Sequence, residues 1–73
     1  MKAFLLEDDP VFRAALTRAV GSMGDEWRVV ACESLASALQ VVDQNEHDFR
    51  VAIIDMNLPD GSGLDVISAL RQK

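Results

Sequence analysis

Four acids in this chain stand where carboxylates could do chemistry. Glu7, Asp8 and Asp9 follow the apolar run of residues 3–6, and Asp55 follows the apolar run of residues 51–54. Short uninterrupted apolar runs stopped by acid are the pattern of buried parallel strands opening into polar loops. In parallel α/β sheets, ligands gather beyond the carboxyl ends of the strands, where the strand order reverses. If the first strand lies between the second and third, Glu7 and Asp8 converge on Asp55. Carboxylates crowded into one cleft repel one another unless a cation intervenes. An all-oxygen donor set suits a hard ion, and one or two carboxylates with several waters is the usual arrangement for Mg²⁺. With the charge neutralised, one carboxylate can serve as a nucleophile toward phosphorus, because phosphoryl transfer depends mainly on positioning and charge stabilisation. Asp55 is the candidate nucleophile, since it ends a buried strand. Taken singly, each acid is also an ordinary turn or cap residue; acids ending two separate apolar strands favour the chemical reading.

The elements that must position these acids follow from the spacing of the apolar residues. Residues 3–6 form the first strand, and Asp9 followed by Pro10 is a cap and first position suited to a helix. Phe12, Leu16, Ala19, Val20 and Met23 recur at helical spacing, and Gly21 and Gly24 place the helix end near Ser22. Residues 27–32, from Trp27 to Cys32, have the β-branched and mixed character of an outer strand. Ser34 caps a second helix that carries Leu35, Ala38, Leu39 and Val42 and runs to about Gln44. After a polar loop at residues 45–48, residues 51–54 form the third strand. A turn-rich loop at residues 58–63 leads to a third helix with Leu64, Ile67 and Leu70 on its apolar face and Arg71 and Lys73 at its C-terminal end. The order β-α-β-α-β-α points to an α/β fold: a parallel sheet with right-handed crossovers and helices on both faces.

The chain has 73 residues, enough for one compact unit, and a formal charge of −5 from twelve acidic and seven basic residues. That balance opposes direct contact with nucleic acid or anionic lipid. Cys32 is the single cysteine, which excludes an internal disulfide, and its expected place is the core. No charged start followed by a long apolar run points to export or membrane insertion, so the expected location is the cytoplasm. Gly61 and Gly63 make a lone G-x-G with no further phosphate-loop signature, and are read as a turn. His47 is expected to be a solvated loop residue, and Trp27 a packing residue.

The stretch Phe4-Leu5-Leu6-Glu7-Asp8-Asp9-Pro10 and the segment VAIIDMNLPDGSG at residues 51–63 together resemble the response-regulator receiver family. Pro59, four residues after Asp55, and Gly63, eight residues after it, match that family's loop pattern, and the resemblance extends over the whole chain. It implies a flavodoxin-like sheet with the second, first and third strands in that spatial order. It implies that Asp55 accepts a phosphoryl group from a phosphohistidine on a sensor histidine kinase or phosphotransfer protein. Asp8 and Asp55 would bind Mg²⁺ directly, Glu7 would act through water, and Asn57 would offer its main-chain carbonyl. The side chains of Met56 and Asn57 would border the pocket. The implied class is a phosphoacceptor signalling domain, not an enzyme.

A complete receiver resembling this one would continue through two more βα units. Residues 1–73 are therefore expected to form a partial receiver, without the family's hydroxyl residue on the fourth strand or its lysine on the fifth. The expectation is a weak Mg²⁺ site, impaired phosphorylation, and self-association through the third strand's open edge. Two alternatives stand beside this reading: a self-associating half-domain with a structural role only, and a Mg²⁺-dependent phosphatase or nuclease. Asn57 in place of the second acid of a D-x-D pair argues against the latter.

Overall fold

A computed structural model describes residues 1–44 and 48–72. The expectations for His47 and Lys73 lie outside the described residues. Strand β1 (Lys2–Leu6) pairs in parallel with β2 (Arg28–Cys32) on one side and β3 (Phe49–Ile54) on the other, giving the order β2-β1-β3. This is the expected strand order of a flavodoxin-like α/β receiver fold. The central position of β1 explains its composition: Ala3, Phe4, Leu5 and Leu6 are all buried, so neither face has room for a polar residue. Leu6 stands level with Cys32 on one neighbour and Ile54 on the other, so the strands end together.

Helix α1 (Pro10–Gly21) begins as expected. The carboxylate of Asp9 accepts from the amides of Val11 at 2.9 Å and Phe12 at 3.3 Å, with Pro10 at the first helical position. Helix α2 (Leu35–Asp43) starts at Ser34, and α3 (Gly63–Arg71) starts at Ser62, whose hydroxyl accepts from Leu64 N. One face of the sheet carries a core of Phe4, Leu6, Cys32, Leu35, Ala38 and Val66, with Phe49 set edge-on to Phe4 at 5.2 Å between ring centroids. Burial pushes the Cys32 thiol up, only partly offset by a hydrogen bond with Ser37, so it sits in this core as a neutral apolar residue. Ala3 and Leu5 point to the other face by strand alternation.

Several sequence expectations need correction. Of the apolar stripe assigned to α1, Val20 is buried and Leu16 half-buried, but Phe12 and Met23 are each 53% exposed, so only part of the stripe is the buried face. In α3, Leu64 is 61% exposed while Val66 is fully buried, so the buried stripe runs through Gly63, Val66, Ile67 and Leu70. Leu64, two residues after the Ser62 cap, faces outward from the first turn. Trp27 precedes β2 instead of opening it, with its amide bonded to the carbonyl of Gly24. β3 begins at Phe49, earlier than the apolar run, because Lys2 pairs with Phe49 across a local irregularity. The loop after β3 contains a small antiparallel hairpin, β4 (Asn57–Leu58) and β5 (Gly61–Ser62), where a plain turn was expected. Among the described residues, no helix is long and apolar enough to cross a membrane.

Candidate functional site

Because the three strands are parallel and end together, their carboxyl ends make one edge. The ladder continues past the strands: Glu7 N donates to Cys32 O at 3.1 Å, and Asp55 N donates to Leu6 O at 2.9 Å. These two bonds fix the backbone where the acids begin. One carboxylate oxygen from each of Glu7, Asp8 and Asp55 lies within 4.8 Å of the other two. Glu7 is the most enclosed of the three at 9% exposure, Asp55 is half-buried, and Asp8 is open to solvent. A cluster closed on the inner side and open on the outer side suits a hard cation that keeps part of its water shell.

Residues 3–73 match the sequence profile of the response regulator receiver domain. The chain belongs to that family. Among its relatives, the photosynthetic apparatus regulatory protein RegA of Rhodobacter capsulatus is 32% identical over 69 residues, 94% of this chain and 35% of the relative. The acid tolerance regulatory protein ActR of Rhizobium meliloti (strain 1021) is 37% identical over 67 residues, 92% of this chain and 32% of the relative. The two-component response regulator PhoP of Pseudomonas aeruginosa is 37% identical over 73 residues, the whole of this chain and 31% of the relative. The chain thus spans about a third of the length of these relatives. It is a receiver domain of the two-component response-regulator kind, a signalling domain.

The receiver's acids are held by short-range bonds. The Asp9 amide donates to Glu7 Oε2 at 3.1 Å, and Arg13 Nη1 donates to the carbonyl of Glu7 at 2.9 Å. The Asp9 amide lowers the Glu7 pKa; burial, the charge of Asp55, and the hydrogen bond and charge of Asp8 outweigh it and hold Glu7 above the ordinary glutamate value. Asp55 Oδ1 accepts the amide of Asn57 at 3.0 Å, which orients the carboxyl at the strand end.

The loop residues take distinct places. Asn57 opens β4, paired with Ser62, and Pro59 lies in the turn between β4 and β5. Gly63 is buried, its amide bonded to Met56 O at 3.2 Å; a Cβ there would overlap the carbonyl oxygen of Asp55 and crowd Ile54. Only glycine lets α3 begin so close to the end of β3. Met56 and Asn57 are both exposed beside Asp55.

Two residues at this edge escape sequence reasoning. Arg13 spans from Glu7 O toward Glu33 Oε2, at 3.9 Å, but in the sequence it is one of several charges on a helix. Asp60 reads as a turn residue after Pro59, yet its carboxylate accepts from the amides of Leu35 and Ala36. Partners separated by 24 and 25 residues leave no local signal.

Proposed function

We propose that this chain is the phosphoacceptor module of a two-component phosphorelay, with Asp55 receiving a phosphoryl group from a phosphohistidine on a sensor histidine kinase or phosphotransfer protein. An Asp55 carboxylate oxygen forms the new P–O bond as the P–N bond of the donor breaks, and the leaving imidazole retains its electron pair and takes up a proton. The observation that carries this reading is the cluster of Glu7, Asp8 and Asp55 within 4.8 Å at the carboxyl edge of the sheet of a receiver domain.

The donor set fits Mg²⁺: three carboxylates, all oxygen, one of them nearly buried, with its pKa raised, against the lowering bond from the Asp9 amide, first by burial and then by its acidic neighbours. Asp8 and Asp55 would hold the ion directly, Asn57 through its main-chain carbonyl, and Glu7 through water. Bound there, Mg²⁺ would neutralise the clustered acids and stabilise charge on the transferring oxygens. The chain's own residues do the positioning. The Asn57 amide orients Asp55, the Asp9 amide and Arg13 hold Glu7, and Gly63 with Pro59 shapes the loop around the acceptor.

Among the described residues the lysine is Lys2, at the start of β1 and beside Asp48, the far end of the strand from the acids. Among the described residues no lysine stands at the acidic edge, and the cation there, Arg13, is engaged by the Glu7 carbonyl and Glu33, so on this reading the 73-residue polypeptide is a slow acceptor. Incubation with a small-molecule phosphodonor and Mg²⁺, followed by intact mass measurement, tests both statements. A slow, Mg²⁺-dependent gain of one phosphoryl group is expected, and Asp55→Asn removes it. Rapid stoichiometric labelling would overturn the slow-acceptor statement; a Mg²⁺-independent adduct would overturn the site.

Self-association is the second part of the reading. Among the described residues β3 is paired on one side only, with β1, and Val51 is 39% exposed on it. An apolar strand edge of this kind pairs readily with another strand, and the occupant proposed is β3 of a second copy.

A further inference from the structure

The first turn of an α-helix presents N–H groups with no partner inside the helix. In α2 they are satisfied from two sources. Ser34 Oγ accepts from Ser37 N at 3.1 Å, and Ser37 Oγ accepts from Ser34 N at 3.2 Å, a reciprocal local cap. The amides of Leu35 and Ala36 instead donate to Oδ1 and Oδ2 of Asp60, at 3.0 and 3.1 Å. Asp60 belongs to the turn between β4 and β5, so one carboxylate joins the acceptor's loop to the start of another element. Those two amides hold its pKa below the usual aspartate value, so it remains a charged acceptor at neutral pH.

The turn is gripped a second time beside this carboxylate. Gly61 has φ +152°, and a Cβ there would run into the side chain of Leu35, so the hairpin lies directly on the first turn of α2. From the hairpin the path to the acids is short. Asn57 pairs with Ser62, Leu58 pairs with Gly61, and the Asn57 amide bonds Asp55 Oδ1 at 3.0 Å. A hairpin of two residue pairs has little stability of its own in water, and its geometry depends on what it is tied to.

From this geometry we propose that Asp60 is a positioning residue for the acidic edge: it locks the loop carrying Asn57 onto α2 and so fixes Asn57 and Asp55 relative to Glu7 and Asp8. Its consequence for metal binding rests on the Mg²⁺ reading above; its consequence for the loop does not. A residue of this kind, which supports ligands without being one, typically changes metal affinity when removed.

The test compares Asp60→Ala and Asp60→Asn with Ser34→Ala in the whole chain. Ser34→Ala removes a bond at the same helix end but leaves the tether to the loop intact. Three quantities are measured: the thermal midpoint, amide hydrogen exchange at Leu58, Gly61 and Gly63, and Mg²⁺ affinity by titration. Asp60→Ala is expected to speed exchange in the loop and weaken Mg²⁺ by about tenfold, with Asp60→Asn intermediate because its amide retains one acceptor oxygen. Ser34→Ala is expected to lower the thermal midpoint while loop exchange and Mg²⁺ affinity stay near wild type. Unchanged loop exchange in Asp60→Ala, or equal effects in Ser34→Ala, overturns the proposal. A wild-type chain with no affinity for Mg²⁺ overturns the metal reading instead, and loop exchange alone then decides the tether.

Discussion

At Glu7 two opposing influences meet, and their balance sets a pH dependence. The Asp9 amide lowers its pKa, while burial, Asp55 and Asp8 raise it further than that bond lowers it. A carboxyl whose pKa rises on folding binds its proton more tightly in the folded chain. The metal-free protein should therefore lose stability as pH climbs from the ordinary glutamate value to the raised one. On the proposed reading Mg²⁺ would have to displace that proton, so its apparent affinity should increase across the same window. Thermal midpoints against pH, with chelator and with Mg²⁺, should show slopes of opposite sign there, and Glu7→Gln should flatten both; an unchanged pH profile in that variant would contradict this account. Asp48, lowered first by its hydrogen bond with Lys2, and Asp60, lowered by the amides of α2, act in a separate window. Their contribution is present above the ordinary aspartate value and is lost as pH falls through their lowered ones. Gly63 gives a second residue-level prediction. Its missing side chain leaves room for the Asp55 carbonyl, so Gly63→Ala should cost roughly 1–3 kcal/mol of overpacking strain. A chemical denaturation midpoint equal to that of wild type would refute this. The acids themselves were legible in the sequence because Glu7 and Asp55 each end an apolar run and Asp8 stands next to Glu7. Arg13 and Asp60 were not, because their partners lie in other elements and ordinary surface charges look the same.

The elements differ in how clearly their residue patterns mark what they bury. β1 is unambiguous: an apolar run with no polar interruption belongs between two neighbours, and the structure places β2 and β3 on either side. The helix starts at Asp9, Ser34 and Ser62 are equally local, since a cap acts on amides two or three residues away. The buried face of a helix is another matter. α1 carries apolar residues around more of its circumference than one packed face requires, with Val11 and Phe12 exposed and Val20 buried, so periodicity alone could not select the face. In α3, Leu64 and Val66 lie two positions apart and cannot share a face, and packing against α2 decides for Val66. Paired substitutions measure this difference. Phe4 is fully buried and set against Phe49, so Phe4→Ala should destabilise by roughly 3–5 kcal/mol. Phe12 is 53% exposed, and Phe12→Ala should change stability by about 0.5 kcal/mol or less. Similar losses in the two variants, read from denaturant midpoints at constant slope, would show that α1 buries the stripe expected from sequence. The β4–β5 hairpin escaped notice because two-residue strands carry no alternation to detect; only Pro59 and Gly61 signal the reversal.

In the whole molecule, a parallel three-stranded sheet gathers three carboxylates at one edge and leaves β3 paired on one side. A domain of this size has a small margin of stability, and strand pairing between copies would add to it. Sedimentation over a range of concentrations should show reversible association, weakened by Val51→Lys, which sets a charge on the exposed β3 residue. A wild-type chain that stays monomeric throughout would refute that part of the account. The parallel topology was legible because three apolar runs alternate with helical spacing over a short chain, whereas the strand order was implied by the resemblance to the receiver family. The contact of the β4–β5 loop with α2 was not, because it depends on how two distant segments fold onto each other. On the proposed reading, this arrangement makes Asp55 a Mg²⁺-dependent phosphoryl acceptor. Intact mass measurement after incubation with a small phosphodonor, with and without Mg²⁺, tests it most directly. One added phosphoryl group that requires Mg²⁺, maps to Asp55 and disappears in Asp55→Asn is the predicted result; no adduct at any incubation time, or an adduct that persists in Asp55→Asn, would contradict it.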